Sequence, residues 1–358
     1  MSRLTIQANS HSYDVVIEAG IRHHLNQWVP DNYKEILVIT DQEVASHYLD
    51  DVITSLQGRS VHTHVVPSGE ASKSMSQYQV LLDKCIEVNL DRKSLIIALG
   101  GGMVGDLAGF TASTYLRGID FIQMPTTILS HDSSVGGKVG INHPRGKNLI
   151  GSFFNPVGVL YDVETLHSLP SKEIRSGYGE VIKHALLSDR SWLEDLLETS
   201  FDNVRNARLI HDLEKGIQVK AGIVEKDERE QGIRKFLNLG HTLAHAIEAE
   251  LGYGKITHGE AVAIGILFSL QLSERKAGAT RLPVGSYVNW MERSGYPIHS
   301  IQTLQPVELL KRMKVDKKTV DHRVHMVLLK GIGEPCVVPV GDEEMLAELE
   351  RFLNEVIQ

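Results

Sequence analysis

Short apolar runs recur through the first half of this chain, separated by polar stretches and by segments of helical period. Runs at 4–8, 13–18, 36–40, 62–66, 95–99, 121–124 and 158–162 have the length and the apolar content of strands. Residues 42–56 and 74–89 carry the i, i+3, i+4 spacing of amphipathic helices. Alternation of this kind predicts an α/β layer with a largely parallel sheet. Beyond about residue 164 the pattern changes. Segments 172–187, 192–199, 204–225, 241–251 and 259–277 have helical period, and only 324–329 and 336–340 read as strands. No repeat or low-complexity linker interrupts the chain. The expectation is an α/β domain over 1–167 followed by a mostly α-helical domain over 168–358.

Length agrees with this division, since single cores stop growing at roughly 250–300 residues and this chain has 358. The balance of 45 acids against 37 bases gives a net charge of −8, which argues against nucleic acid or an anionic membrane as the main partner. An anionic substrate would have to be met by a local basic pocket. Cys85 and Cys336 are far apart and form no metal spacing, so a reducing compartment is expected. The N-terminus lacks the apolar core of a signal peptide, and the longest uncharged run, 261–273, is too short to span a bilayer. A cytoplasmic protein is the expectation.

The run at 95–99 leads into Gly100-Gly101-Gly102-Met103-Val104-Gly105-Asp106 and then a helical pattern. Strand, glycine turn and helix make a cradle for a pyrophosphate, because amides at a helix N-terminus point at the anion. Gly100, Gly102 and Gly105 satisfy G-x-G-x-x-G, but this corner is about the third strand–helix junction of the domain. Asp120, at the spacing of a ribose-binding acid, precedes a strand where the dinucleotide fingerprint requires an acid ending one. The corner is therefore not an ordinary fingerprint, and a tight turn that binds nothing is the bland alternative.

His241 and His245 lie one helical turn apart, and His258 opens a further helical pattern in Thr257-His258-Gly259-Glu260. Imidazoles with a nearby carboxylate suit a divalent metal. Spacing alone leaves the ligands open among His241, His245, His258, Glu180 and Glu260, in a chain with 17 histidines. The stretch from Asp132 to Asn148 reads as a basic, glycine-rich loop. In an acidic protein its lysines, Lys138 and Lys147, suggest a phosphorylated substrate, although a solvated loop would look the same.

Taken together, these stretches resemble the 3-dehydroquinate synthase family of sugar phosphate cyclases. The resemblance runs from Ser68-Gly69-Glu70 through Gly101–Asp106, Pro125-Thr126-Thr127, Asp132–Lys138, Gly146–Gly151, Glu180-Val-Ile-Lys183, Asp227–Glu230 and Asn238–His241 to His258-Gly259-Glu260. It implies an α/β NAD-binding domain and a mostly helical metal- and substrate-binding domain. It also implies a lyase of the shikimate pathway, a homodimer using NAD and Zn2+, with Co2+ suited to the same ligands. The reaction implied converts 3-deoxy-D-arabino-heptulosonate 7-phosphate into 3-dehydroquinate and phosphate, with NAD regenerated in every cycle.

The resemblance assigns the metal to Glu180, His241 and His258. It lines the substrate pocket with Asp132, Lys138, Lys147, Asn148, Lys183, Lys220, Arg234, Asn238 and His245, and adds Lys317 and Lys318 at the phosphate. Arg117 would reach that phosphate from the partner subunit. NAD would meet Asp41, then Ser68, Gly69, Glu70, Ala71, Ser72 and Lys73, then Gly101, Gly102, Met103, Val104, Gly105 and Asp106. Thr126 and Thr127, Lys138 and Lys147, and the turn of Thr165, Leu166, His167 and Ser168 complete the cofactor set. One departure stands out: Thr126–Asp132 is one residue shorter than the commoner family form, so its backbone must differ. Rival readings are a cyclase making deoxy-inosose or a valiolone, a metal-dependent polyol dehydrogenase, and an inactive binding protein. Intact ligand and pocket motifs favour the dehydroquinate synthases.

Overall fold

The computed structural model describes residues 1–201, 204–252, 254–315 and 323–357. Lys317 and Lys318 lie outside the described residues. Contacts divide the chain into two compact units, Met1–Leu169 with Arg205–Arg229, and Pro170–Val204 with Glu230–Gln358.

The first unit is built on a sheet of β1 (Ser2–Gln7), β2 (Ser12–Glu18), β3 (Glu35–Asp41), β4 (Ser60–Val66), β5 (Leu95–Gly100), β6 (Asp120–Pro125) and β9 (Gly158–Asp162). Every apolar run read as a strand in the first half is one of these. Their order is β1-β2-β9-β6-β5-β3-β4, with β1 antiparallel to β2 and every other pair parallel. Helices α1 (Gln42–Ser55), α2 (Met75–Glu87) and α3 (Gly102–Thr114) follow β3, β4 and β5. Alternate residues of the central strands face two cores. Leu37, Ile39, Ile96 and Phe121 pack with Leu81, Cys85 and Leu107, while Ile36, Val38, Ile97 and Ile122 pack with Ile21, Leu25 and Val52. Burial of both faces is why these strands read as continuous apolar runs. Asp41 and Ser74 cap α1 and α2 by accepting from first-turn amides.

The stretch read as a basic loop is different in the structure. After the short helix α4 (Ser130–Ser133), β7 (Lys138–His143) and β8 (Gly146–Phe153) pair as an antiparallel hairpin. Gly140 and Gly151 face each other, and a Cβ on either would lie 2.5 or 2.4 Å from a carbonyl oxygen of the opposite strand. Gly140, part of the stretch read as a loop, and Gly151 just beyond it permit close strand approach.

The second unit contains α5 (Ser171–Leu186), α6 (Arg190–Glu198), α8 (His241–Leu251), α9 (His258–Lys276), α10 (Val284–Arg293), α11 (Pro306–Val315) and α12 (Asp342–Ile357). Helix α7 (Asn206–Val224), between α6 and α8 in sequence, belongs to the first unit. Just beyond α7, Glu225 and Glu228 accept from the Gln7 and Asn9 amides at 3.1 and 3.2 Å. The two segments read as strands near the end are β10 (Val324–Gly331) and β11 (Glu334–Val340), which pair antiparallel. No helix among the described residues is long and apolar enough to cross a membrane.

Candidate functional site

In the first unit the residues expected at the dinucleotide follow the carboxyl ends of five parallel strands. Asp41 ends β3, 68–73 follows β4, Gly101 follows β5, Thr126 and Thr127 follow β6, and 165–168 follows β9. The chain passes from β3 outward to β4 and then back to β5 on the other side of β3. Open α/β sheets bind ligands at the carboxyl end beside such a switch point. The glycine corner, third of the strand–helix junctions, sits there.

Helix α3 starts at Gly102 with no side-chain cap, so its first amides are left for an outside acceptor. A Cβ on Gly101 would lie 3.1 Å from Thr127 Cγ2, and one on Gly102 3.1 Å from Ser133 Oγ. Around this corner the hydroxyls of Thr40, Thr126, Ser133 and Ser134 are buried without a hydrogen-bond partner. Buried hydroxyls are ordinarily satisfied, so a polar ligand fits here. Thr126 belongs to the set implied by resemblance. Thr40, Ser133 and Ser134 were missed, because nothing in their spacing distinguishes them from other hydroxyls. Asp120, rejected as a ribose acid, instead accepts from Tyr33 Oη at 2.7 Å.

Side-chain bonds tie the other members together. Ser68 Oγ donates to Asp41 Oδ1 at 2.7 Å, the same oxygen that caps α1. Lys73, 4% exposed, donates to Asp106 Oδ2 at 2.7 Å and to Asn148 Oδ1 at 2.6 Å. Burial alone would push the Lys73 amine down, but Asp106 and Glu70 outweigh it and keep it charged. Asn142 of β7 donates to Glu70 at 2.8 Å, so the hairpin is tied to the 68–73 turn. Asn148, expected beside the substrate, is thus bonded to one of the cofactor candidates. Lys138 opens β7 and Lys147 lies in β8. Lys220 of α7 donates to the Asp132 carbonyl and, at 3.0 Å, to its carboxylate.

The shortened segment forms consecutive turns, with the amides of Ser130, His131 and Asp132 donating three residues back. Tyr161 Oη donates to the Thr127 carbonyl, and His131 is buried with Nδ1 2.6 Å from the Ile128 carbonyl. In the 165–168 turn, the Thr165 carbonyl and Ser168 Oγ both accept from Tyr48 Oη. Arg117 is not brought to these groups within the chain. It follows α3, whose length is about 20 Å at 1.5 Å per residue, at the end opposite the glycine corner. It is exposed, and Leu116, Arg117 and Gly118 have φ of 51°, 71° and 121°.

In the second unit Glu180, His241 and His258 come from three helices, α5, α8 and α9. Each is next to a glycine at a close helix approach. A Cβ on Gly179 would lie 2.2 Å from the Gly259 carbonyl oxygen. One on Gly240 would lie 2.9 Å from that of Val262, and one on Gly259 1.7 Å from that of Ser176. Larger residues would force the helices apart. The donor atoms lie within 4.8 Å of one another, with Glu180 Oε1 3.2 Å from His241 Nε2 and 3.5 Å from His258 Nε2. Tetrahedral zinc with bonds of about 2.0–2.1 Å separates its ligand atoms by about 3.3 Å. The donor set therefore fits such an ion.

Tautomers are set from outside. His241 Nδ1 faces the Leu239 carbonyl at 3.1 Å and His258 Nδ1 faces Glu248 Oε2 at 3.0 Å, which turns both Nε2 atoms toward Glu180. Burial pushes the Glu180 carboxyl up, but Lys183 at 2.5 Å and His241 outweigh it and hold it well below the carboxylate range. Burial pushes His241 down to about 4. It would lower His258 too, but hydrogen bonds to Glu180 and Glu248 push that ring up to about 10.

Glu260, left open by spacing, is engaged elsewhere. Its Oε2 accepts from Thr257 N and Oγ1 in the capping box of α9, and its Oε1 from Arg175 Nε at 3.0 Å. His245 joins the cluster, its ring 5.7 Å from that of His241 and stacked at 5.8 Å on His258. Arg234 is 1% exposed in the 3-10 turn Ile233–Asn238 that leads into α8, and Asn238 donates to Glu230 at 3.1 Å. Sequence reasoning missed Glu248. The available signal was its place on the face of α8 that carries 241 and 245.

Comparisons with known proteins place the chain in a family. Residues 63–176 match the model of the 3-dehydroquinate synthase N-terminal domain, and 177–319 that of the C-terminal domain. A 3-dehydroquinate synthase of Oceanobacillus iheyensis is 48% identical over 357 residues, 99% of each chain. Among solved structures, 2-deoxy-scyllo-inosose synthase complexed with carbaglucose-6-phosphate, NAD+ and Co2+ shares the fold. Its TM-score is 0.86 at 24% identity, covering 98% of this chain and 99% of that one. The 2-epi-5-epi-valiolone synthase of Streptomyces hygroscopicus, with NAD+ and Zn2+ bound, has a TM-score of 0.84 at 25% identity, with 98% and 99% covered. With both domain models matched and nearly half its residues shared with a full-length relative, this chain belongs to the 3-dehydroquinate synthase family.

Proposed function

We propose that this chain converts 3-deoxy-D-arabino-heptulosonate 7-phosphate into 3-dehydroquinate and phosphate, using NAD and a divalent metal, Zn2+ or Co2+. The observation that carries the reading is the Glu180–His241–His258 donor set, built around the buried Glu180, in a chain related to dehydroquinate synthases along its length. When bound, the ion supplies Lewis acidity and NAD a reversible hydride acceptor, so one secondary alcohol is oxidised and restored within a turnover.

The residues divide by chemistry. Glu180, His241 and His258 hold the ion. The amides opening α3, the Thr126 hydroxyl, Asp41 and the 68–73 and 165–168 turns hold the dinucleotide, and Lys73 fixes the hairpin through Asn148. Lys138, Lys147, Asn148 and His245 receive the phosphate, together with Lys317 and Lys318. Lys183, Lys220, Arg234 and Asn238 orient hydroxyls and carboxylate, with Asp132 positioning Lys220. Once the neighbouring carbon is a ketone, the C6 proton is acidic, and its loss expels the C7 phosphate, which these cations accept as an anion. The domains act as an NAD-binding α/β unit and a metal- and substrate-binding helical unit. The enzyme works in the cytoplasm as a homodimer. Arg117 serves the partner's phosphate site, which its distance from its own glycine corner supports, as do exposed Leu116, Leu149 and Phe153.

The test is one assay with the heptulosonate phosphate, catalytic NAD and added zinc, following phosphate and NADH together. Phosphate release without NADH accumulation is expected. Lasting NADH without phosphate would move the chain to the polyol dehydrogenases and overturn the proposal.

A further inference from the structure

Glu248 is a buried carboxylate, 5% exposed, on a helix that otherwise offers imidazoles to the centre. A carboxylate removed from water is costly unless it is paired. Its Oε2 lies 3.0 Å from His258 Nδ1. Residues 241, 245 and 248 share one face of α8, so this helix supplies both a donor at the centre and an acceptor reaching behind the donor from α9. The other histidine, His241, is oriented differently, by the neutral carbonyl of Leu239 at 3.1 Å.

We propose that Glu248 is a positioning residue that locks His258 as an Nε2 ligand and strengthens its hold on the metal. A carboxylate accepting the Nδ1 proton fixes the ring's rotation and tautomer and raises the electron density at Nε2. A carbonyl does the first and little of the second. The two histidines are therefore unequal ligands, with His258 the one whose grip depends on a side chain. This rests on Glu180, His241 and His258 being the ligands. The competing arrangement also stands in the structure, since His245, Glu248 and His258 likewise bring donor atoms within 4.8 Å of one another. There Glu248 would bind the ion itself.

Metal-depleted full-length protein is titrated with Zn2+ against a chromophoric chelator, and with Co2+ to record its visible absorption. Variants are Glu248→Ala, Glu248→Asp, Glu248→Gln and Glu180→Ala. Glu248→Ala and Glu248→Asp are expected to weaken Zn2+ binding about 10–100-fold and to alter the Co2+ bands, the shorter Asp having withdrawn its oxygen from Nδ1. Glu248→Gln, which keeps an acceptor for that proton, is expected to lose less than either. Glu248→Asp reports in place of Glu248→Ala if the latter does not fold. Wild-type Zn2+ affinity in Glu248→Asp, with the loss expected in Glu180→Ala, overturns this proposal alone. Losses in Glu248→Gln equal to those in Glu248→Ala also overturn it, since an amide is a poor ligand and Glu248 would then be binding the ion directly. Undiminished Zn2+ binding by Glu180→Ala overturns the ligand set and this proposal with it.

Discussion

Gly259 lies against Ser176 so closely that its amide donates to Ser176 Oγ at 3.2 Å, and a Cβ on it would stand 1.7 Å from the Ser176 carbonyl oxygen. The contact is backbone against backbone, between α9 and α5, one residue from His258 and four from Glu180. No rotamer change can relieve it. Gly259→Ala is therefore expected to destabilise the protein by about 3 kcal/mol, the upper range for overpacking, and to weaken metal binding by separating the ligands. Urea unfolding of the metal-free variant reads the first effect and zinc titration the second. A variant as stable as the parent would show that the helices shift apart freely and that their spacing is not set here.

Glu180 and His258 put an oxygen and a nitrogen at the same point from different helices, so neither neighbour can substitute for the other. Glu180→Ala and His258→Ala should each lose stoichiometric zinc and all measurable turnover while far-UV circular dichroism stays that of the parent. Stoichiometric zinc in variants that still turn over would remove both residues from the ligand set. Prolonged chelation of the parent should have the same effect on activity, reversed by Zn2+ or Co2+.

Lys73 and Lys147 are attached to the same hairpin in different ways. Lys73 bridges Asp106 at the start of α3 to Asn148, whereas Lys147 is a member of β8 itself. Lys147→Ala should raise the substrate dissociation constant at least tenfold, about 1.4 kcal/mol, and change NAD binding far less. Lys73→Ala should do the reverse, because it detaches the hairpin from the helix whose uncapped amides are proposed to hold the dinucleotide. Calorimetric titration with NAD and with substrate phosphate separates the two. Parallel losses for both ligands in both variants would contradict the division.

Legibility in the sequence followed physical range. Strands buried on both faces, such as β3 and β5, announce themselves because successive central positions, Ile36–Ile39 and Leu95–Leu99, are apolar. Helices capped by Asp41, Ser74, Asp189 and Thr257 carry their start signals in neighbouring residues. The stretch 132–148, which covers β7 and the start of β8, reads as a loop because glycines such as Gly140 lack the side chains that mark a strand, and the use of Gly140 depends on its facing Gly151. At the metal centre, spacing brought 241 and 245 forward together but left Glu260 in the running. Its two oxygens are committed to Thr257 and Arg175, the latter 85 positions away.

What the sequence determined by itself was local and periodic: the sheet's strands, the helical second half, the glycine corner and the set of side chains able to hold a metal. These follow from patterns of burial and from caps and turns acting over a few residues. Tertiary structure alone decided which distant groups meet. It returned α7 to the first unit, where Lys220 finds Asp132. It closed the α5–α8–α9 contacts that bring Glu180, His241 and His258 to one point, and set Glu248 behind His258. Such meetings depend on helix packing through glycines far apart in the chain, and no single window of sequence contains both sides of the contact.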